Sequence, residues 1–335
     1  MKLNLSIPND FNGVVYVEKD NNIIFNQCYG YANTTFMIPN QLHTRFPTAS
    51  AGKVFTATAI LQLIEQRQLS FDSTIGEILS FDLHQIDKNI TIKQLLNHTS
   101  GIPDYFDESL MQDYSQLWKN TPSYNFRRSK DLIPLFINKP MSYQPGTKFQ
   151  YNNTGYVVLG LIIEEITKKP FDQYINETIF VPCNMNDTGY YELDRLPKNC
   201  ADAYIYDTNT DSYYTNIFSV EAKGSGAGGA FITVPDIKKY WQHLLQGKLL
   251  SKEMLQQMFH IQSNDKTSQY GYGVWLQKDK ITNQTFPMFM GSDPGVSFIS
   301  SYHLEKDLLS IIVSNFENDV WKIHREIQQL TNTNI

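Results

Sequence analysis

Runs of apolar residues near the two ends of the chain predict β-strands. The first run, residues 13–17, is followed by the turn-forming segment 20–22 and by a second apolar run at 23–25. This order is typical of a β-hairpin. Later runs of the same kind predict further strands at 228–233, 271–276, 296–302 and 308–313.

Helical patterns occupy the middle of the chain and its last residues. The stretch from Ser50 to about residue 68 is apolar on more than one face, which is typical of a buried central helix. The strongest helical pattern of the middle region covers 156–168, and Pro170 marks its end. A further helix is expected from an N-cap at Asp236 to about residue 246, and the last one at about 318–330.

Strand-like ends around a helical middle predict the fold class. We expect an α+β protein of the α/β-sandwich type, in which an antiparallel sheet is built from both termini and flanked by helices. The α/β part would comprise residues 1–75 and 201–335. A mainly helical subdomain would be inserted between them at 76–200, and both parts would form one module.

The composition narrows the classes of function. The 335 residues include 28 Lys+Arg against 34 Asp+Glu, a net charge of −6, which disfavours nucleic acid as a partner. The longest apolar run, 157–163, is far shorter than the roughly 20 residues of a membrane span. The histidines and cysteines lack the spacing of metal ligands, so we expect neither a metal nor a cofactor.

The N-terminal residues lack the apolar segment of a signal peptide. As written, the chain is therefore expected in the cytoplasm, and outside it if a leader has been removed. The three widely spaced cysteines do not form a disulfide framework, which agrees with a reducing compartment. The oligomeric state stays open.

A serine and a lysine stand together at the start of the predicted central helix. Residues i and i+3 share a helix face, so the hydroxyl of Ser50 and the amine of Lys53 can meet. Unpaired N–H groups at a helix N-terminus stabilise negative charge on a reacting oxygen, and a neutral lysine there can activate the serine. The pair predicts a nucleophile. The alternative is an ordinary N-cap serine followed by a lysine, which would have the same sequence pattern. The pattern recurs at Ser263 and Lys266, in a polar stretch without a buried helix.

A tyrosine and an asparagine precede the strong helix of the middle region. Tyr151 and Asn153 follow the turn at 145–147, so a loop presents both side chains at a helix entrance. The phenol can accept the serine proton and pass it to a leaving group, and the amide can hold the lysine or a substrate carbonyl. The alternative is a turn tyrosine packed on the core.

Two other features invite a functional interpretation. The glycine-rich segment 224–229 is similar to a phosphate loop, but a strand-like run follows it, so a strand edge beside the site is favoured. His98 has the residue type of a triad histidine. The chain holds no Gly-x-Ser-x-Gly motif, however, and a structural role in a loop is favoured.

Five ordered blocks of residues carry a resemblance to a known family. The blocks are FPTASAGK at 46–53, IKQLLNHTSGI at 92–102, PGTKFQYNNTGY at 145–156, GGAF at 228–231 and PG at 294–295. In order and spacing the chain resembles the superfamily of serine β-lactamases and penicillin-binding proteins. It is most similar to the branch of class C β-lactamases, D-Ala-D-Ala carboxypeptidases and esterases.

The resemblance implies an acyl-serine mechanism. Ser50 would attack a carbonyl, and Lys53 and Tyr151 would share the proton transfers, with the identity of the base left open. Asn153 would orient Lys53 and the substrate. The backbone N–H groups of Ser50 and Ser292 would form the oxyanion hole, in which loss of one donor typically costs about a hundredfold or more in rate.

One block departs from the pattern of the family. The third motif of the family is usually His or Lys, then a small residue, then Gly. In this chain the corresponding residues are Phe289, Met290 and Gly291. We assign these residues, with Ser292, to substrate binding. A phenylalanine cannot form the charge-assisted hydrogen bond that holds a substrate carboxylate. The motif therefore favours an uncharged substrate, unless Arg or Lys from elsewhere in the chain supplies the positive charge that binds a carboxylate.

The leading interpretation is a serine hydrolase acting on an ester or amide of a small molecule or short peptide. One alternative is a penicillin-binding D-Ala-D-Ala carboxypeptidase or a β-lactamase. The other, from a different class, is a non-catalytic binding or sensor protein on the same scaffold. The intact set of Ser50, Lys53, Tyr151 and Asn153 favours the enzyme.

Overall fold

The computed structural model describes residues 2–107, 110–111 and 113–332. The strands of this part, in chain order, are β1 (Gly13–Lys19), β2 (Asn22–Tyr29), β3 (Tyr31–Asn33), β4 (Ile38–Pro39), β5 (Phe46–Pro47), β6 (Tyr204–Asp207), β7 (Ser212–Thr215), β8 (Phe231–Ile232), β9 (Ser263–Asn264), β10 (Gln269–Tyr270), β11 (Trp275–Lys278), β12 (Thr285–Asp293), β13 (Val296–His303) and β14 (Leu308–Ser314).

The helices of the same part belong to three types. The α-helices are α1 (Lys53–Glu65), α2 (Ile75–Ile78), α3 (Ile92–Leu96), α4 (Asn153–Thr167), α5 (Phe171–Ile175), α6 (Val234–Leu245), α7 (Lys252–Met258) and α8 (Val320–Asn332). Short 3₁₀ segments cover Ala49–Gly52, Tyr114–Trp118, Ser123–Asn125, Ser129–Leu135, Asn216–Phe218 and Leu304–Lys306, and a π-helical turn covers Asn176–Phe180.

One antiparallel sheet joins the two ends of the chain. Its eight strands follow the order β2-β1-β14-β13-β12-β11-β10-β9. Strand β1 pairs with β14 along its whole length, from Gly13 opposite Ser314 to Lys19 opposite Leu308. It also forms the expected hairpin with β2. The expected α+β fold, with an antiparallel sheet built from both termini, is confirmed.

The two faces of this sheet bury different layers, because side chains alternate along each strand. Val14 and Tyr16 point into the larger core, which also contains the apolar residues of α1, α4 and α6. Val15 and Val17 point the other way and pack with the buried face of α8, including Ile323. The sheet therefore lies between α8 on one side and the helical part of the molecule on the other.

The segment between β5 and β6 is mainly helical. Within it, α4 contacts α2, α3 and α5, and it also packs against α1. The division of the chain at residues 75 and 201 stays a prediction. None of the helices in the described part of the chain combines the length and apolar character that a membrane span requires.

Several boundaries differ from the sequence-based expectation. Helix α6 begins at Val234, because Thr233 rather than Asp236 is the N-cap and accepts a hydrogen bond from the N–H of Asp236. The strand expected at 228–233 is reduced to β8, because Gly228 and Gly229 adopt positive φ angles of 142° and 80°. Strand β11 begins later than the predicted 271–276, and β12 was not predicted.

Candidate active site

Ser50 lies in the 3₁₀ turn that leads into α1, and its position depends on two glycines of the segment 224–229. The carbonyl of Ala49 accepts a hydrogen bond of 3.0 Å from the N–H of Gly229. A Cβ added to Gly228 would lie 2.2 Å from the same carbonyl, so only glycine fits against this turn. The segment is thus a backbone support for the turn of Ser50, and not a phosphate loop.

Lys53 is the centre of the polar network beneath Ser50. Its Nζ lies 2.8 Å from Ser50 Oγ, 2.7 Å from Asn153 Oδ1 and 2.7 Å from the carbonyl oxygen of Ala227. The side chain is 2% exposed. Three oxygen atoms therefore surround the nitrogen of Lys53 and hold it at hydrogen-bond distance from the serine.

Tyr151 covers Lys53 on the side of the cavity. Its ring centroid lies 4.9 Å from Lys53 Nζ. Trp275 stacks on the other side of the ring, with centroids 5.5 Å apart and planes inclined by 19°. The structure thus brings together Ser50, Lys53, Tyr151 and Asn153, four residues that the sequence places on two distant segments. Proton transfer between these groups is chemically possible.

A buried carboxylate positions the entrance of α4. Asp104 accepts hydrogen bonds from the backbone N–H of Asn153 at 2.8 Å and of Thr154 at 3.0 Å. Burial raises the pKa of Asp104 to about 6, although these N–H donors and the charge of Lys53 act in the opposite direction. Sequence reasoning missed this residue, because Asp104 lies 49 residues before its partner Asn153 and belongs to no recognised motif.

His98 lies directly behind Tyr151. Its ring centroid is 4.5 Å from that of Tyr151, and its Nδ1 accepts a hydrogen bond of 3.1 Å from the N–H of Asn152. Burial, with the charge of Lys53 as a second cause, holds the pKa of His98 well below its usual range. The imidazole is therefore neutral with its proton on Nε2, and it supports the loop of Tyr151.

Strand β12 passes across the turn that contains Ser50. A Cβ added to Gly291 would lie 2.6 Å from the backbone nitrogen of Ser50 and 2.7 Å from that of Ala51. The pairing of β12 with β11 ends at Met288, so the following edge of β12 runs free of β11 towards Ser50. This approach places the N–H groups of the turn and of Ser292 on two segments that border the same cavity.

A cavity of about 710 Å³ opens at Ser50. The predicted residues Tyr151 and Asn153 line it, as do Met290, Gly291 and Ser292. Tyr191 also contributes to the wall. Such a volume fits a small-molecule ligand.

Phe289 does not line this cavity, which corrects our expectation that it contacts substrate. Its side chain is 2% exposed and stacks on Trp241 of α6 with ring centroids 5.0 Å apart. Phe289 and Gly291 share one face of β12, but the phenylalanine lies deeper, beneath α6, where burial of an aromatic ring is favourable. The second Ser-x-x-Lys pattern does not line the cavity either: Ser263 Oγ donates to the carbonyl oxygen of Asn97 at 2.6 Å.

Comparisons with known proteins agree with this architecture. The family model described as Beta-lactamase matches residues 9–296. The chain is 28% identical over 329 residues to Penicillin-binding protein 4* of Bacillus subtilis strain 168, covering 94% of this chain and 70% of the relative. A crystal structure of a penicillin binding protein from Bacillus halodurans is 36% identical, with a TM-score of 0.91 over 96% of this chain and 97% of that one.

A more distant structure shares the fold. The D-amino acid amidase from Ochrobactrum anthropi SV3 is 20% identical, with a TM-score of 0.76 over 97% of this chain and 94% of the other. The match of the family model spans most of the chain and includes Ser50, Lys53, Tyr151 and Asn153. The chain therefore belongs to the β-lactamase family, within the superfamily of serine β-lactamases and penicillin-binding proteins.

Proposed function

We propose that the chain is a serine hydrolase that cleaves an ester or amide through an acyl-enzyme on Ser50. The observation that carries this proposal is the position of Lys53 Nζ, within 2.8 Å of Ser50 Oγ and 2.7 Å of Asn153 Oδ1, at a cavity of about 710 Å³. Serine is a weak nucleophile unless a neighbouring group takes its proton, and this arrangement supplies such groups.

In the proposed reaction, Ser50 Oγ forms a bond to the substrate carbonyl carbon, and its proton passes to Lys53 or Tyr151. The N–H groups of Ser50 and Ser292 bind the oxyanion. The carbon–oxygen or carbon–nitrogen bond to the leaving group then breaks, and the leaving group takes up the proton. Water attacks the acyl-enzyme by the same route, releases the acid and restores Ser50.

A fluorophosphonate probe tests the nucleophile. Mass spectrometry should find the label on the peptide that contains Ser50 and not on the peptide with Ser263, the matched serine of the second Ser-x-x-Lys pattern. Ser50→Ala should abolish both labelling and turnover of p-nitrophenyl acetate. Labelling that persists in Ser50→Ala would show that another residue is the nucleophile.

The same assays separate the alternatives. Turnover of a p-nitrophenyl ester that Lys53→Ala abolishes would exclude a purely binding or sensor protein. A stable adduct with fluorescent penicillin, or its hydrolysis, would favour the penicillin-binding carboxypeptidase or the β-lactamase. We expect neither, because the resemblance assigns Phe289 to the position of the family's cation, and its ring is buried against Trp241.

A further inference from the structure

The walls of the cavity at Ser50 carry charge of one sign. The acidic side chains among the described residues that line it are Asp113, Asp202, Glu221, Asp293 and Glu317, and no Lys, Arg or His lines it. Lys53 lies beneath Ser50, where three oxygen atoms surround its Nζ. A cleft lined by one sign of charge concentrates ligands of the opposite sign. These carboxylates line the same cavity as Ser50, the proposed nucleophile, so they would influence which substrates bind there.

Neutral donors hold two of these carboxylates and do not cancel their charge. Asp202 accepts a hydrogen bond of 2.6 Å from Asn33 Nδ2. Glu317 accepts one of 3.0 Å from the backbone N–H of Gly295. Within the described residues neither carboxylate forms an ion pair. The negative charge therefore remains available to a ligand.

Glu221 is held most firmly. Its Oε1 accepts hydrogen bonds from the hydroxyls of Tyr114 and Tyr105, the latter at 3.1 Å. Among described residues, Oε2 receives no such bond from another side chain, while Glu221 as a whole lines the cavity. Burial raises the pKa of Glu221, and the hydrogen bond from Tyr114 and the charge of Lys53 act against that rise. Two tyrosine hydroxyls thus anchor Oε1 of Glu221 at the wall of the cavity.

Nearby basic side chains are engaged elsewhere. Lys223, two residues beyond Glu221, pairs with Asp172 at 2.6 Å. Arg127 pairs with Asp194 at 2.7 Å. A substrate carboxylate beside Glu221 would therefore meet like charge, and the described residues that line the cavity include no Lys, Arg or His to compensate it.

We propose that the substrate carries a protonated amine close to the scissile carbonyl, as in an aminoacyl ester or amide, and that Glu221 accepts a hydrogen bond from this ammonium group. The inference rests on the proposed function and specifies its substrate class. An ammonium donor and a carboxylate form a charge-assisted hydrogen bond, which is shorter and stronger than a neutral one.

Three methyl esters that differ only in one substituent on the α-carbon test this proposal. Alanine methyl ester carries an ammonium group where methyl isobutyrate has a methyl group and monomethyl methylmalonate has a carboxylate. The kcat/KM of each is divided by its rate with hydroxide, which removes the intrinsic reactivity of the ester. At low salt we expect the ammonium ester to exceed the methyl ester by about tenfold or more, and the carboxylate ester to be the slowest.

The Glu221→Gln variant assigns the preference to one residue. The ratio between the ammonium and methyl esters should fall about tenfold, whereas Glu165→Gln, which removes an equal charge from a partly exposed side chain on α4, should leave it unchanged. High salt should lower the ratio in the wild-type protein, a measurement that does not depend on the folding of a variant.

The outcomes separate this inference from the function on which it rests. If methyl isobutyrate or the carboxylate ester is hydrolysed as fast as alanine methyl ester, or if Glu221→Gln keeps the ratio, the inference is wrong while the hydrolase stands. If none of the esters is hydrolysed and the fluorophosphonate leaves Ser50 unlabelled, the proposed function itself fails.

Discussion

The contact of Gly291 with the turn of Ser50 yields a sharp prediction for the Gly291→Ala variant. The added methyl group would lie 2.6 Å from the nitrogen of Ser50 and 2.7 Å from both the nitrogen of Ala51 and the carbonyl oxygen of Thr48. Ordinary contacts of a Cβ begin at 3.4 Å. Since all three atoms belong to the backbone, no side chain can rotate away, and β12 must move from the turn.

The size of the effect follows from this displacement. The shortest contact has to lengthen from 2.6 Å to 3.4 Å, a change of 0.8 Å. Oxyanion donors act at about 2.7–3.1 Å, so a shift of this size takes one of the two N–H groups out of range. Loss of one donor lowers kcat by a factor of about 10²–10³, equivalent to about 2.7–4 kcal/mol.

Steady-state hydrolysis of p-nitrophenyl acetate measures this loss, and thermal unfolding monitors the fold. Gly155→Ala is the matched control, because an added Cβ there meets its nearest atom at an ordinary 3.5 Å and lies within α4. We expect the control to retain its kcat, with stability unchanged or raised by up to about 1 kcal/mol. A Gly291→Ala enzyme with wild-type kcat would refute the placement of the oxyanion hole between β12 and the turn of Ser50.

Further predictions concern the network around the site and the core beneath it. Lys53→Ala should lower kcat/KM for p-nitrophenyl acetate by about 10²–10⁴-fold, and an unchanged rate would remove Lys53 from the proton transfer. Phe289→Ala should lower the free energy of unfolding in urea by about 3–5 kcal/mol, whereas a small loss would contradict its place in the core. Because the pKa of Asp104 is raised from 3.8 to about 6, the folded state retains a proton that the unfolded chain has released between these pH values. The contribution of this group to the free energy of unfolding is therefore fully present below pH 4 and is lost as the pH rises to 6. Urea titrations between pH 4 and pH 7 should show the free energy of unfolding of Asp104→Asn rising by up to about 3 kcal/mol relative to that of the wild type. The imidazole of His98 should stay neutral from pH 5 to 8, and an NMR titration in that range would contradict its burial.

Local patterns in the sequence were sufficient to predict a nucleophile at Ser50. The spacing from Ser50 to Lys53 and the apolar surface of the following helix depend on neighbouring residues, and helical periodicity alone brings the two side chains together. The loop of Tyr151 and Asn153 was recognisable from the turn before it and the helix after it. Resemblance in five ordered blocks then linked these segments, and the strand-like runs near both ends of the chain predicted the sheet that both termini build.

The sequence did not reveal how deeply Phe289 of the third motif is buried. The motif shows that a phenylalanine replaces the usual cation. It does not show that the side chain of Phe289 is buried in the core, away from the cavity. That depth depends on Trp241, a residue of α6 that no motif connects to the strand. The pattern of apolar residues did not predict strand β12, because Pro287 and Gly291 interrupt that pattern.

The sequence by itself indicated the fold class and the family, and it predicted four residues for the site at Ser50, because each motif is formed by residues that are neighbours in the chain. Only the tertiary structure brought Lys53 to Asn153 and to Ala227, across 100 and 174 residues. It alone placed Asp104 at the start of α4 and gathered Asp202, Glu221 and the other carboxylates around one cavity. Electrostatic potential adds in space and not along the chain. A net charge of −6 therefore could not reveal that the described residues lining the cavity include five acidic side chains and no Lys, Arg or His.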